Sequence, residues 1–188
     1  MKFSVAIPAS LLVLASIVAA KTVNEVKSDI IAIDAGVVNL YQHCQVESLN
    51  YLSGLAIRQA ADDLTSKIKT GAADVNALEG KPTDADAKLI LSTLGKTEVK
   101  VKMVVDQMIK LKPEFEKLGV LGMAQSSVSS FQQETKSFSA QLVKLAPSAE
   151  QSAATSLAGR FNADLDKCAA AYNGGSGQAA SKRRLSDE

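Results

Sequence analysis

His43 and Cys44 are adjacent in the chain, and a thiol beside an imidazole is a pairing that can supply a nucleophile and its base. Consecutive residues on a helix point about 100° apart, however, so these two side chains would not face each other. A serine triad would have to use the same histidine, the only one present, and no G-x-S-x-G elbow occurs. Zinc needs more ligands than one His and two Cys can supply. Gly95-Lys96-Thr97 imitates the end of a phosphate loop, but the earlier glycine falls at Ile90 and no strand precedes it. Asp62-Asp63 could handle protons, yet adjacent carboxylates on a helix read more simply as a solvated face. Catalytic residues, metal and cofactor are therefore expected to be absent, and the chain reads as non-enzymatic.

The ends and the composition narrow the class further. Met1-Lys2 is followed by an apolar run from Phe3 to Val18 and by Val18-Ala19-Ala20, small residues of the kind signal peptidase accepts. Residues 1–20 are expected to be a signal peptide, 21–173 a helical bundle domain and 174–188 a disordered polar tail. Cleavage removes Lys2, one of 21 Lys and Arg, and none of the 20 Asp and Glu, so the mature chain is neutral. Nucleic-acid binding needs clustered positive charge and is not expected. No later stretch is apolar enough for a transmembrane segment, so the product should be secreted and extracellular.

The elements are written in the spacing of apolar residues. Val23, Val26, Ile30, Ile33, Val37, Leu40 and Cys44 recur at steps of three and four, the signature of one helical face, and Thr22 with Glu25 forms a capping pattern at its start. A second helix is expected from Ser48 to Thr70, with Gly71 as its stop, followed by a loop to Pro82. Thr83 and Asp86 open a third, which Lys112-Pro113 should break. Leu121 to Leu145 form a fourth, ended by Pro147, and Ser148 with Gln151 should cap a fifth running to Tyr172. Five helices with mostly short links predict an all-α, up-and-down bundle in which the first, third and fifth run the same way.

That arrangement would bring Cys44, at the end of the first helix, and Cys168, near the end of the last, to one end of the bundle. In an oxidising compartment the expectation is a Cys44–Cys168 disulfide joining the two helices, worth roughly 3–5 kcal/mol by loop closure. The alternative is two buried free thiols acting as small apolar groups.

Most of the aliphatic faces must form the core. Five helices lined by Val, Leu, Ile, Met and Phe can also enclose a dry tunnel for an acyl chain, or lay their faces on an apolar surface.

Several segments resemble the fungal hydrophobic surface-binding protein A family, which includes the antigenic cell-wall galactomannoproteins. They are Asp29-Ile-Ile-Ala-Ile-Asp34, Thr83-Asp-Ala-Asp-Ala87, Lys112-Pro-Glu-Phe115 and Ala169-Ala-Ala-Tyr172, and the likeness extends from Thr22 to Asn173. The resemblance implies a secreted or wall-associated helical protein with no catalytic residue. It further implies either adsorption to hydrophobic surfaces with recruitment of secreted esterases, or a long-chain fatty acid held inside the bundle. The cysteine pair departs from the family pattern, and the Ser/Thr-rich stalk and anchor signal of many wall mannoproteins are absent.

The leading expectation is a secreted binding protein for apolar material, a fatty acid or other lipid inside the bundle or a hydrophobic surface. The residues expected to line such a cavity are Ile33, Val37 and Leu40 of the first helix and Val101, Val105 and Met108 of the third. Phe131, Phe138 and Leu142 of the fourth and Phe161 and Leu165 of the fifth complete the set. The rival readings are a protein-interaction module, engaging a host protein or inhibiting an enzyme, and a structural cell-wall antigen.

Overall fold

Short polar side chains start three of the helices. In the computed structural model, which describes residues 20–174, α1 (Val23–Cys44) begins at Thr22. The Thr22 hydroxyl accepts from the Glu25 amide at 3.3 Å, and the Glu25 carboxylate accepts from the Thr22 amide at 2.8 Å, so two orphan donors are satisfied reciprocally. Asn50 and Ser53 do the same for α2 (Tyr51–Asn76), at 2.9 Å each way. Thr83 accepts from the Asp86 amide at 3.2 Å to open α3 (Asp84–Lys117). α4 (Leu121–Leu145) and α5 (Gln151–Asn173) start without a side-chain cap, so the cap expected from Ser148 does not form. The expected signal peptide and polar tail lie, apart from Ala20 and Gly174, outside the described residues.

Two predicted breaks are instead helical. Gly71 sits inside α2, where its missing side chain lets helices close up. A Cβ there would meet Ile33 Cδ1 at 3.3 Å and both Asp29 Cβ and Phe138 Cε2 at 3.5 Å. Pro113 lies within α3, where its missing N–H removes one bond of the ladder, and the buried Phe115 two residues on anchors the final turn. The helix ends at Gly119, whose φ of +71° suits glycine. Its amide donates to the Glu116 carbonyl and that of Val120 to the Phe115 carbonyl, both at 3.0 Å, the paired closure that satisfies a helix's last carbonyls.

Side-chain pairs give the directions. Lys27 pairs with Asp86, Asp34 with Lys100 and Cys44 with Met108, so α1 and α3 are parallel. Lys88–Glu150, Glu98–Arg160 and Asp106–Lys167 make α3 and α5 parallel. Gln125 reaches the Tyr172 carbonyl and Gln132 reaches Asp166, so α4 and α5 are antiparallel. α1 packs on α2, α2 on α4, α4 on α5, α5 on α3 and α3 on α1, closing a ring of five helices. The all-α, up-and-down bundle read from the sequence is the architecture observed, with no strand among the described residues.

The predicted Cys44–Cys168 disulfide is absent. Both cysteines are buried free thiols. The helices expected to be joined, α1 and α5, each pack along α3 and form no extended contact with one another. Met108 of α3 reaches the first thiol, its Sδ 3.7 Å from Cys44 Sγ. Burial pushes Cys44 up to about 12 and Cys168 up to about 11, so both remain protonated and behave as small apolar groups.

Candidate functional site

The ring of helices does not fill its own centre. An apolar cavity runs inward from one end of the bundle, with an empty volume of about 940 Å³ that includes its part open to solvent. All five helices contribute walls, among them Ile33 from α1, Ile68 from α2, Leu94 from α3, Phe138 from α4 and Phe161 from α5. A second void, about 400 Å³ again counting space open to solvent, lies farther along the bundle, among Leu40, Val105, Met108, Val128 and Leu165. Phe131 lines both.

The opening can be located by exposure. The lining residues Val23, Leu78, Pro82 and Leu145 are half-buried, whereas Ile33, Val37, Val101, Phe131 and Phe161 are buried. The mouth thus lies where α1 and α3 begin and α2 and α4 end. A short backbone pairing closes one side of it, with the Lys21 amide donating to the Ala77 carbonyl at 2.9 Å and Glu79 donating to Lys21 at 3.2 Å. At the far end Tyr172, fully buried, donates its hydroxyl to the Met108 carbonyl at 2.8 Å.

The eleven residues expected to line a cavity fall on these two voids. Ile33, Val37, Val101, Phe138, Leu142 and Phe161 line the outer one, Leu40, Val105, Met108 and Leu165 the inner one, and Phe131 both. The sequence reading omitted the mouth, where Leu78 and Pro82 come from the α2–α3 segment, and it omitted the small residues Ala87, Ala154 and Ala158. A signal was present: Ala154 and Ala158 stand four apart, on one helical face, where larger side chains would close the space.

Polar groups in this wall are few. Thr97 donates to Asp34 Oδ1 at 2.8 Å, Ser139 donates to the Lys136 carbonyl at 3.1 Å, and the Thr135 hydroxyl is buried with no hydrogen-bond partner. Asp34 is engaged by Lys100, at 2.7 and 2.8 Å, behind Thr97. Charge gathers near the mouth instead. Lys21 bridges Asp74 at 3.0 Å and Glu25 at 3.3 Å, while Asp29 close by has its carboxyl raised, first by burial and then by Asp74. Hydrogen bonds from Thr22 hold Glu25 low, and those from Lys27 and Thr83 do the same for Asp86. Lys81 and Lys144, exposed neighbours of Pro82 and Leu145, flank the opening in sequence. The arrangement can hold an extended apolar chain, one end of which meets water.

Among the described residues no helix is long and apolar enough to cross a membrane, and no group of His, Cys, Asp and Glu could hold a metal ion. The sequence profile described as hydrophobic surface binding protein A matches residues 23–144. No curated protein sequence matches the chain. Solved structures share the fold. The crystal structure of AFMP4P in complex with palmitic acid superposes with a TM-score of 0.75 at 21% identity, covering 80% of this chain and 99% of that one. Ligand binding domain 1 of the Penicillium marneffei MP1 protein, complexed with arachidonic acids, gives 0.74 at 14% identity, over 80% and 97%. Ligand binding domain 2 of the same protein, also with arachidonic acids, gives 0.71 at 12%, over 78% and 90%.

Proposed function

The chain belongs to the hydrophobic surface binding protein A family, and from that premise we propose that it is a secreted, non-enzymatic carrier that holds a long acyl chain between its five helices. The observation that carries this reading is the convergence of apolar faces from all five helices on a cavity open at one end. Solved structures of this fold hold palmitic and arachidonic acids, which supports the same reading. Each methylene moved from water into such a wall contributes roughly 0.8 kcal/mol, so a long chain gains affinity without polar contacts along its length. A carboxylate cannot follow into an apolar wall without a partner. It belongs at the mouth, in water and within the field of Lys81 and Lys144.

Titration of the purified protein with palmitate tests this. Saturable binding at one chain per protein is expected. Ala158→Phe, which puts an aromatic ring on the half-buried cavity wall, should weaken it about tenfold or more while the helical circular dichroism is kept. Absence of saturable binding in the parent protein would remove the proposal.

A second reading, adsorption to hydrophobic surfaces, draws on exposed Tyr51, Leu52 and Leu55 on the first two turns of α2, at the end opposite the mouth. Retention on apolar polymer beads, lost in Leu52→Asp/Leu55→Asp but kept in Ala158→Phe, would separate this activity from acyl binding.

A further inference from the structure

Six threonines lie within the helices, and five of them turn their hydroxyls back onto their own helix. Thr65, Thr70, Thr93, Thr97 and Thr155 each donate to the carbonyl four residues earlier, at 2.8–3.2 Å. Thr135 does not. It is 7% exposed, it lines the outer cavity, and its Oγ1 is buried with no hydrogen-bond partner of any kind. Its polar neighbours on that wall have other uses for their protons: Thr97 can give its own to Asp34 or to Thr93, and Ser139 gives its own to Lys136. Thr135 is therefore the uncommitted donor of this apolar wall.

What such a donor selects follows from its surroundings. Lys100 is held by both oxygens of Asp34, and no cation lines the cavity. A carboxylate at Thr135 would be a buried charge opposite a single hydroxyl, which is strongly disfavoured. A neutral oxygen fits, because it needs one or two hydrogen bonds and no countercharge. Position adds a second constraint. Thr135 stands ten residues before Leu145, which is about 15 Å along α4 from the mouth. A ligand whose head group stays in water would meet Thr135 well down its chain.

We propose that the cavity takes acyl ligands bearing a neutral oxygen along the chain, a hydroxyl above all, and that the Thr135 hydroxyl is the group that recognises it. This rests on the acyl-binding reading and narrows it to a chemical class. Octadecanoic acid and a set of octadecanoic acids hydroxylated at successive positions, from the middle to the far end of the chain, are titrated into the protein and into Thr135→Val and Thr135→Ser. The parent should favour one or two of the hydroxylated isomers over the plain acid by about three- to tenfold, the span of a single neutral hydrogen bond. Thr135→Val, equal in shape and without the hydroxyl, should lose that preference, so that hydroxylated and plain acids bind it alike, and Thr135→Ser should retain it. A parent that binds plain acid with no preferred isomer, or a Thr135→Val that keeps the preference, overturns this inference and leaves acyl binding standing. Failure of the parent to bind any of these acids overturns both.

Discussion

Asp29 is half-buried beside Gly71, with Oδ2 out of reach of any hydrogen-bond donor and Asp74 facing it from α2. Burial and that second carboxylate raise its pKa, so the folded state holds the Asp29 proton more tightly than the unfolded chain does. Ionised Asp29 therefore opposes folding at neutral pH, and the penalty is relieved as pH falls through its raised value. Glu25, Asp86, Asp106 and Asp166 act the other way: hydrogen bonds lower them, and the stability they lend above the ordinary carboxylate range fades as pH falls through their lowered values. Asp29→Asn should raise Tm at pH 7 and lose most of that advantage in thermal melts at pH 4, where Asp29 itself is protonating. Composition conceals this, because Asp29 is one of 20 acidic residues and only the packing of α1 against α2 sets it apart. The thiols show the same limit from the other direction. Two cysteines in a chain expected to be exported suggest a bond, yet both are buried free thiols, with Met108 Sδ 3.7 Å from Cys44 Sγ.

At the scale of the helix, periodicity and two of the caps were legible, while the breaks and the caps of α2 and α5 were not. Thr22 with Glu25 and Thr83 with Asp86 announce the starts of α1 and α3, because a cap is a local contact between residues three apart. Gly71 and Pro113 are poor stops here, since tertiary packing of Val75 and Phe115 outweighs the local cost of either residue. Two other helical glycines have no such purpose. A Cβ on Gly95 or Gly159 would meet nothing within 4 Å, so neither residue is required by a close approach. Gly95→Ala and Gly159→Ala should each stabilise the protein by about 0.5–1 kcal/mol, additively, as read from denaturant midpoints at unchanged m-value. A loss of stability in either variant would show that the helix needs the glycine for a reason other than packing.

For the molecule as a whole, the decisive feature is the order of helices around the ring, in which α4 lies between α2 and α5 and brings Phe131 to the centre. Phe131 lines both voids, and under the proposed acyl binding it is the side chain that limits how deep a chain runs. Phe131→Leu should join the two and shift preference toward longer acids, visible as a rising ratio of affinities across a series of saturated fatty acids. Its stability cost should fall below the roughly 3–5 kcal/mol of a Phe→Ala truncation. A length profile unchanged from the parent would mean that Phe131 is no barrier. By itself the sequence determined five amphipathic helices, their alternating directions and the apolar residues that turn inward, because three-four spacing and short links are written residue by residue. Only the tertiary structure decided that these faces leave a cavity, where it opens, that the thiols are buried and free and that Thr135 is left without a partner. Those properties depend on how closely neighbouring helices approach one another, and the spacing of residues along one chain does not encode that distance.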